Sequence, residues 1–559
     1  MRRNDSAGSA GERVLYREYL LSPAGMKEAD QNTIDKAGIS SAVLMERAAL
    51  SVADAVSGAL EGRRNPAPET VYVFAGRGNN GADGIAAARI LAERGIRATV
   101  WLTDVPSPES EGAVQQKAAE YYGVPCRKTD EYSIPEGRVP FAVIDALFGT
   151  GFHGKPEGRA LEAIREINRL RREGALVVSV DIPSGVSGAD GSIPGECVRA
   201  DITVTFSYYK AGHFLYPGRA ACGELIRSQI GITDRSLGQK PGIFTYLASS
   251  GVPGRVRTDL QLPERNPAGH KGSFGKVLLA AGDFGMCGAA VLSARACCRA
   301  GAGMVRVFTP ESNRIIIQQS VPEALISTFP DEEAWEDGIP PLCAGSLESA
   351  LSWCDTIAVG PGLGRGKRAV YTVRHLLEYA AACGDRLKGM VIDADALRII
   401  SADEDLYRLL KMAGAKLSVI LTPHLAECAA LLHVNTDELA EDKMKRLRLI
   451  RDFCSEYHVT LAAKDAATMV ASCESDEVYL NTTGNDGLAG AGSGDVLTGI
   501  ISGLTAQGME GSAAAAAGVF LHGLSADIAV LTTGRRSLTA SDVIDHLQDA
   551  FFEVSSGKM

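Results

Sequence analysis

The sequence predicts an α/β protein of two domains, each a mostly parallel sheet with helices on both faces. Three observations predict it. Short, continuously apolar runs alternate with helical patterns, and strands apolar on both faces belong to sheets covered on both sides. The alternation is interrupted near residue 240 and then restarts. The length, 559 residues, suits two large α/β domains. No repeat at solenoid period is present, so the halves read as different domains.

In the first half, Met26–Gly38 and Val43–Leu60 carry helical periodicity. The apolar runs Val71–Ala75, Ala98–Thr103, Phe141–Asp145, Leu176–Asp181 and Ile202–Phe206 read as strands. TDRSLGQKPG (233–242) is rich in Gly, Pro and polar residues and breaks the rhythm. The domains are placed at 14–236 and 256–554, with a linker at 237–255. In the second half, Lys276–Ala281, Met304–Phe308, Thr356–Val359, Met390–Asp393, Ser418–Leu421 and Thr460–Ala463 are the predicted strands. Gly288–Ala300, Val370–Ala381 and Gly494–Leu504 are the predicted helices.

Composition narrows the function. The chain is 45% hydrophobic and 22% charged, which excludes wholesale disorder. Lys and Arg number 57 against 68 Asp and Glu, a net charge of −11, so no global basic footprint for nucleic acid is present. The 12 Cys have no regular spacing, and adjacent Cys297 and Cys298 fit neither a zinc nor a disulfide framework. They read as small buried thiols of a reduced, cytoplasmic protein. The opening MRRNDSAGSAGER lacks the apolar segment of a signal peptide. Ser512–Leu521 reads as too short and too Ala-rich to span a bilayer. The expected partners are small molecules, with no nucleic acid and no membrane, and a homo-oligomer is the expected assembly.

Gly-rich and acidic strand ends carry the chemistry of the first half. GRGNNGADG (76–84) follows a strand and precedes a helical run, where backbone amides approach an anion. Asn79, Asn80 and Asp83 within it offer oxygen ligands for a monovalent cation and hydrogen bonds for ribose or amide groups. Asp145 ends one strand before ALFGTGFHG, and Asp181 ends another before IPSG. Either these loops converge on a ligand at the carboxyl ends of neighbouring strands, or the two Asp merely cap turns. A nicotinamide oxidoreductase fits poorly: GRGNNG lacks the Gly-x-Gly-x-x-Gly spacing, and no acidic residue ends ATVWLT.

In the second half, GNDGLAGAGSGDVLTGII (484–501) is the sharpest signal. Gly492, Ser493, Gly494 and Asp495 open an apolar helix, and successive amides there form an anion hole. Asp495 is placed to accept a proton from a substrate hydroxyl beside a phosphate, or else is an acidic first-turn residue favoured by the helix dipole. HKGSFGKVLLAAG (270–282), VGPGLGRG (359–366), DADAL (393–397), TPHLAE (422–427) and Lys464 adjoin other strands. His424 reads as a ligand contact or a structural His. Asp393 and Asp395 are a magnesium pair, or Asp393 caps the next helix.

On GRGNNGADG, DALFGTGFHG, DIPSGV and the opening YLLSPAGMKEADQNTIDKAGISSAVLMERAA, the first half resembles the NAD(P)HX epimerase family, the YjeF N-terminal domain, from about Leu20 to Gly231. The resemblance implies a Rossmann-like three-layer fold and a potassium ion held by Asn80, Asp145 and Ser184. It implies a nicotinamide nucleotide hydrate on Asn79, Asn80, Gly81, Ala82 and Asp83, on Gly149, Thr150, Gly151, Phe152, His153, Gly154 and Lys155, and on Asp181. The chemistry would be epimerisation at C6 of the hydrated ring, with Asp181 the expected acid–base residue. Lys210 and His213 either assist it or are structural. Ala82 stands where the family has Gly, and its methyl is expected to crowd the turn without removing the ligands.

HKGSFGKVLLAAG, GAAVLSARACCRAGAGMVRV, VGPGLG, DADAL, TPH and GSGDVLTG occur together in the order of the YjeF C-terminal domain. The second half, about Val256 to Phe552, therefore resembles the ADP- or ATP-dependent NAD(P)HX dehydratases of the ribokinase-like superfamily. The resemblance places the hydrate on Ala290, Gly364, His424 and Asp495, and the adenylate on Lys464, Asp465, Ala466, Ala467, Thr468 and Gly494. It implies that Asp495 activates the C6 hydroxyl for attack on a nucleotide phosphate, with magnesium accompanying ADP or ATP, after which phosphate leaves and the dihydropyridine is restored. Asp465 replaces the family's Gly, which predicts repulsion of nucleotide phosphates and a strained backbone. Leu425 and Ala426 replace its Pro-Gly. Fusion of both domains resembles the bacterial arrangement and points to ADP. Two other readings are a sugar or vitamin kinase fused to a nucleotide-binding domain, and a first half that binds partners without catalysis.

Overall fold

A computed structural model describes residues 17–61, 70–131, 139–247, 260, 262–331, 335 and 338–556. The chain forms two compact units, Tyr19–Phe244 and Thr245–Met559, with Met1–Glu18 belonging to the latter. The unit boundary thus falls inside the expected linker. Phe244–Leu247 is a strand rather than a loop, and residues 248–255 lie outside the described residues, as do 14–16. In the second unit the Tyr246 hydroxyl donates to Glu18 at 2.7 Å.

The first unit is a seven-stranded parallel sheet. Its order is Cys126–Lys128, Arg97–Leu102, Thr70–Ala75, Ala142–Ala146, Leu176–Val180, Ile202–Phe206, Glu224–Ser228. Central strands such as Ala142–Ala146 are buried throughout, the reason they read as unbroken apolar runs. From Thr70–Ala75 the chain builds outward on one side, then returns to build on the other. The switch point therefore lies between Thr70–Ala75 and Ala142–Ala146, where an open sheet binds its ligand.

The Gly-rich segment corrects one expectation. The helix begins at Asn79 and runs to Glu93, so Asn79–Asp83 form its first turns rather than a loop. Gly81 is required by a close approach: a Cβ there would sit 1.9 Å from the Gly76 carbonyl oxygen. Ala82 lies on this helix at 1% exposure, so its methyl packs into the core and does not crowd the turn. Helices Glu111–Tyr121 and Gly158–Arg172 add to this unit's layers beyond those predicted from the sequence.

The second unit repeats the logic on a longer sheet. From Lys276 onward its strand order is Ser475–Leu480, Met469–Ser472, Thr460–Ala463, Ser418–Leu421, Gly389–Ile392, Thr356–Val359, Lys276–Ala280, Met304–Pro310, Leu325–Phe329. The pairs from Thr460–Ala463 to Leu325–Phe329 are parallel, and the last two C-terminal strands add antiparallel. Its switch point lies between Lys276–Ala280 and Thr356–Val359. Ser512–Leu521 proves to be part of a 23-residue helix, Gly511–Thr533, long and apolar enough to cross a membrane by length and composition. Apolar residues from Ala514 to Ala529 instead bury in the core with the helix Ser493–Ala506, which explains the helix's high apolar content.

Candidate active sites

At the first switch point lies a cavity of about 930 Å³. Its wall includes Asn79, Asn80 and Asp83 from the helix start, Gly149–Phe152 from the loop after Ala142–Ala146, and Asp181 from the end of Leu176–Val180. Gly81 and Ala82 lie behind the wall, within the helix. The run expected from Gly149 to Lys155 reaches the cavity only as far as Phe152, whose ring stacks on Phe148 at 4.1 Å. His153, Gly154 and Lys155 are not in the wall, which resumes at Glu157 and Arg159. Sequence reasoning missed Lys27, Asp30, Arg77 and Asp104, which also line it. Arg77 lies inside GRGNNGADG, Asp104 just past the run Ala98–Thr103, and Lys27 and Asp30 in the predicted helix Met26–Gly38, so each sat in a visible element without a local signal for ligand contact.

Asp181 sits in an ion pair. Its φ is +65°, a conformation Asp tolerates better than most side chains. Its Oδ1 accepts from Lys210 Nζ at 2.5 Å and from Thr205 Oγ1 at 3.1 Å, and His213 Nε2 lies 2.8 Å from its carbonyl oxygen. Lys210 is 1% exposed, so its ammonium has no water to fall back on. Burial works to raise the Asp181 pKa, but the Lys210 ammonium and its hydrogen bond prevail and hold it below the ordinary carboxylate value. His213 is driven down to about 4, by burial first and Lys210 second, and stays neutral. Lys210 thus holds the anion, and His213 anchors the turn.

Asp83 is the opposite case. Burial pushes its carboxyl well above the usual range, and Asp181, Glu111 and Asp30 add repulsion. Two carboxyls on one cavity, one whose charge is favoured and one whose charge is disfavoured, are a division of labour suited to acid–base chemistry.

Asp145 and Ser184 lie beneath the cavity, both 0% exposed. Asp145 accepts from Ser184 Oγ at 2.5 Å, Ser179 Oγ at 2.8 Å and Ser184 N at 2.9 Å. Burial raises its pKa, the Ser184 and Ser179 hydrogen bonds oppose this, and no cation pairs with it among the described residues. The nearby Asn80 amide nitrogen is buried without a partner. A buried carboxylate lacking a counter-ion, with the Ser184 and Ser179 hydroxyls on it, fits a potassium ion.

The second site gathers around Asp393. Its Oδ1 accepts from Lys464 Nζ at 2.7 Å and its Oδ2 from Thr498 Oγ1 at 2.6 Å. Asp393 is the N-cap residue of the helix Ala394–Ile400, but its side chain makes no cap hydrogen bond, and the Oδ2 of Asp395 accepts the Gly364 amide at 2.9 Å. Among the described residues no group of three or more His, Cys, Asp or Glu forms a metal cage. The Lys464–Asp393 pair joins two strand ends 71 residues apart, a contact no local pattern encodes.

Beside this pair the helix Ser493–Ala506 begins. Its N-cap, Gly492, has φ +88°, and no side chain caps the first turn; the Ser493 amide reaches the Gly490 carbonyl at only 3.5 Å, so the turn faces an anion with its amides uncapped by side chains. A Cβ on Gly494 would stand 3.2 Å from Lys464 Nζ. Asp495 is pushed up to about 6 by burial, with Asp393 and Asp395 adding and Lys464 opposing. His522, unnoticed in the sequence, lies 3.3 Å from Ser493 Oγ and is lowered to about 4 by burial, so it stays neutral.

His424 forms a parallel β-bridge with Lys464 and its Nε2 lies 3.0 Å from Glu427 Oε1. It also caps the helix Leu425–Leu431, so Leu425 and Ala426 begin a helix where a Pro-Gly turn was the reference. Ala290 is 0% exposed, one turn from Ser293, whose hydroxyl donates to the Asp495 carbonyl at 2.9 Å. Gly364 has φ +77° and stands near Asp283. Ala467 and Thr468 are buried and Ala466 is exposed.

Asp465 corrects the expectation of a strained backbone. It does not have a positive φ, so its backbone is unstrained. Its charge is matched by Arg446 Nη1 at 2.9 Å, a side chain only 4% exposed.

Comparison with known proteins agrees with this division. Residues 41–212 match the family model described as YjeF-related protein N-terminus, and residues 277–549 that described as NAD(P)H-hydrate dehydratase. The chain is 34% identical over 540 residues to the bifunctional NAD(P)H-hydrate repair enzyme of Moorella thermoacetica, covering 95% of this chain and 96% of that one. It is 33% identical over 546 residues to that of Coxiella burnetii, covering 96% and 99%. Among solved structures, the ADP/ATP-dependent NAD(P)H-hydrate dehydratase of Bacillus subtilis, co-crystallised with ATP and magnesium, is 27% identical with a TM-score of 0.43, covering 53% of this chain and 96% of that one. With both domains matched in order and the full-length relatives above 30% identity, the chain belongs to the bifunctional NAD(P)H-hydrate repair enzymes, which join an NAD(P)HX epimerase to an ADP/ATP-dependent NAD(P)HX dehydratase.

Proposed function

We propose that the first domain interconverts the R and S hydrates of NADH and NADPH on Asp181, and that the second dehydrates the S form on Asp495 with ADP as phosphate donor, giving AMP and phosphate. The group formed by Asp393, Lys464 and Asp495 at the start of Ser493–Ala506 carries the reading. Asp495 ionises near neutral pH and accepts the proton of the C6 hydroxyl as that oxygen attacks the terminal phosphate. The uncapped helix amides and Lys464 offset charge on the transferred group. Phosphorylation makes the C6 oxygen a good leaving group, and its departure restores the dihydropyridine. In the first domain Asn80, Asp145 and Ser184 would hold potassium, which supplies the positive charge that Asp145 lacks. Lys210 keeps Asp181 anionic, and Asn79 and Thr150 line the cavity where the hydrate would lie.

Recovery of the dihydronicotinamide absorbance from a mixed R/S NADHX sample tests the whole reading. With magnesium, potassium and ADP, recovery is expected to be complete and faster than the spontaneous epimerisation control. ATP in a parallel cuvette names the donor. A stable phosphorylated product without NADH would overturn the dehydratase reading.

The Asp465–Arg446 pair gives a second expectation. Arg446→Met frees a carboxylate beside the proposed phosphate site and should raise KM for the nucleotide about fivefold, ~1 kcal/mol for a partly exposed charge, with kcat held. Asp465→Gly added to Arg446→Met should restore KM. Equal KM values in all these variants would show that the loop lies away from the phosphates.

A further inference from the structure

The proposed epimerase gives Asp83 no step of its own. Asp83 lines the wall, yet among the described residues its carboxyl has no hydrogen bond or ion pair. Its side chain is half-buried, so the carboxyl faces the cavity rather than the core. Asp83 also stands on the helix face that carries Asn79, one turn before it, so it is aimed where the hydrate would sit. The elements bearing Asp83 and Asp181 leave the sheet from strands separated by Ala142–Ala146, two strand spacings or about 10 Å apart. That leaves room for a ring between two carboxyls, the arrangement used where an oxygen leaves one face of a ring and returns on the other.

We infer that Asp83 is a second catalytic residue of the first site, the acid that protonates the departing C6 hydroxyl, with Asp181 as the base that takes a proton from the water returning on the other face. The inference rests on the epimerase reading above. The ring nitrogen lone pair forms the N1=C6 double bond as the C6–O bond breaks. The proton from Asp83 goes to that oxygen, which leaves as water. A water molecule then adds to C6 from the opposite face, the double-bond electrons return to nitrogen, and the water's proton passes to Asp181. Asp83 ends as carboxylate and Asp181 as acid, the state from which the reverse epimerisation starts; exchange with solvent resets both. The environment suits the assignment: Asp30, Asp181 and Glu111 face Asp83 and disfavour its charge, while Lys210 stabilises charge on Asp181. Lys27, Arg77 and Asp104 share the cavity wall.

The test uses the full chain with purified R-NADHX, its own dehydratase reporting each S product. Asp83→Asn is expected to slow catalysed epimerisation by about 10²–10⁴-fold in kcat with KM within a few-fold, and to leave dehydration of S-NADHX unchanged. In the wild type kcat/KM falls as pH rises through the Asp83 pKa. Asp83→Glu should keep that alkaline limb at a lower rate, and Asp83→Asn should lose it. In H₂¹⁸O each epimerisation should place one ¹⁸O at C6. Retention of the original oxygen, an Asp83→Asn chain with normal kcat, or an alkaline limb surviving in it would each overturn the inference. A wild-type chain inert toward R-NADHX would overturn the epimerase reading itself.

Discussion

Asp495→Asn is expected to abolish dehydration while leaving the fold intact, with kcat lower by about 10²–10⁴-fold, the usual contribution of a positioned base. The wild type carries a pH signature that identifies the cause. A base works only when ionised, and Asp495 lies at about 6, so kcat/KM should fall as pH drops below that value and level off above it. The variant should show no such limb. Stability separates chemistry from folding by its sign. A carboxyl whose folded pKa is raised makes the folded state less stable once pH exceeds its unfolded value and the group must ionise in place. Removing it should therefore hold or raise the melting temperature near neutral pH. A variant that keeps the acid limb, or that melts markedly earlier, would remove Asp495 from the base role.

Lys210→Met should have the largest effect on the first domain. Lys210 is 1% exposed and bonded to both Asp181 and Thr205, so its loss strands a carboxylate inside the protein. Breaking one side of a buried pair costs about 3–5 kcal/mol. Hydrogen exchange on the full chain should show that loss as faster exchange across Leu176–Val180 and Ile202–Phe206, with the second domain unaffected. Epimerisation should fall with it, because the Asp181 pKa rises once the ammonium is gone. Combining Lys210→Met with Asp181→Asn should recover much of the protection and none of the activity. Unchanged exchange in the single variant would mean that the pair does not hold these strand ends.

The sequence was legible where a local pattern carried the information. Thr356–Val359, Ser418–Leu421 and Thr460–Ala463 are buried parallel strands and read as such, since burial on both faces leaves an unbroken apolar run. The Gly-rich turn before Asn79 was harder. Glycine argues against helix by propensity, and only the packing of Gly81 against the Gly76 carbonyl explains why a helix holds it. Glu111–Tyr121 was missed because few of its residues are buried, leaving no apolar stripe to find. The site was legible one residue at a time but not in its pairings. Asp181 and Lys210 each stood in a noticeable motif, whereas their ion pair, like those of Asp393 with Lys464 and Asp465 with Arg446, comes from strand ends or helices brought together by topology. The charge that pairs with Asp465 likewise sits elsewhere, on the helix Lys443–Tyr457.

The left-handed backbone at Asp181 constrains what this position can become. At φ +65° an ordinary side chain adds strain of about 1–3 kcal/mol, while Asn shares the tolerance of Asp and glycine has no such penalty. Random substitution at 181 is thus filtered by conformation before it is filtered by chemistry. A lineage that lost the carboxylate without losing the fold would be expected to hold Asn or Gly there, and such a residue would mark a silenced epimerase in a chain that still folds and dehydrates. Asn is also the probe to use in the laboratory, since it changes the charge and leaves the peptide where it was.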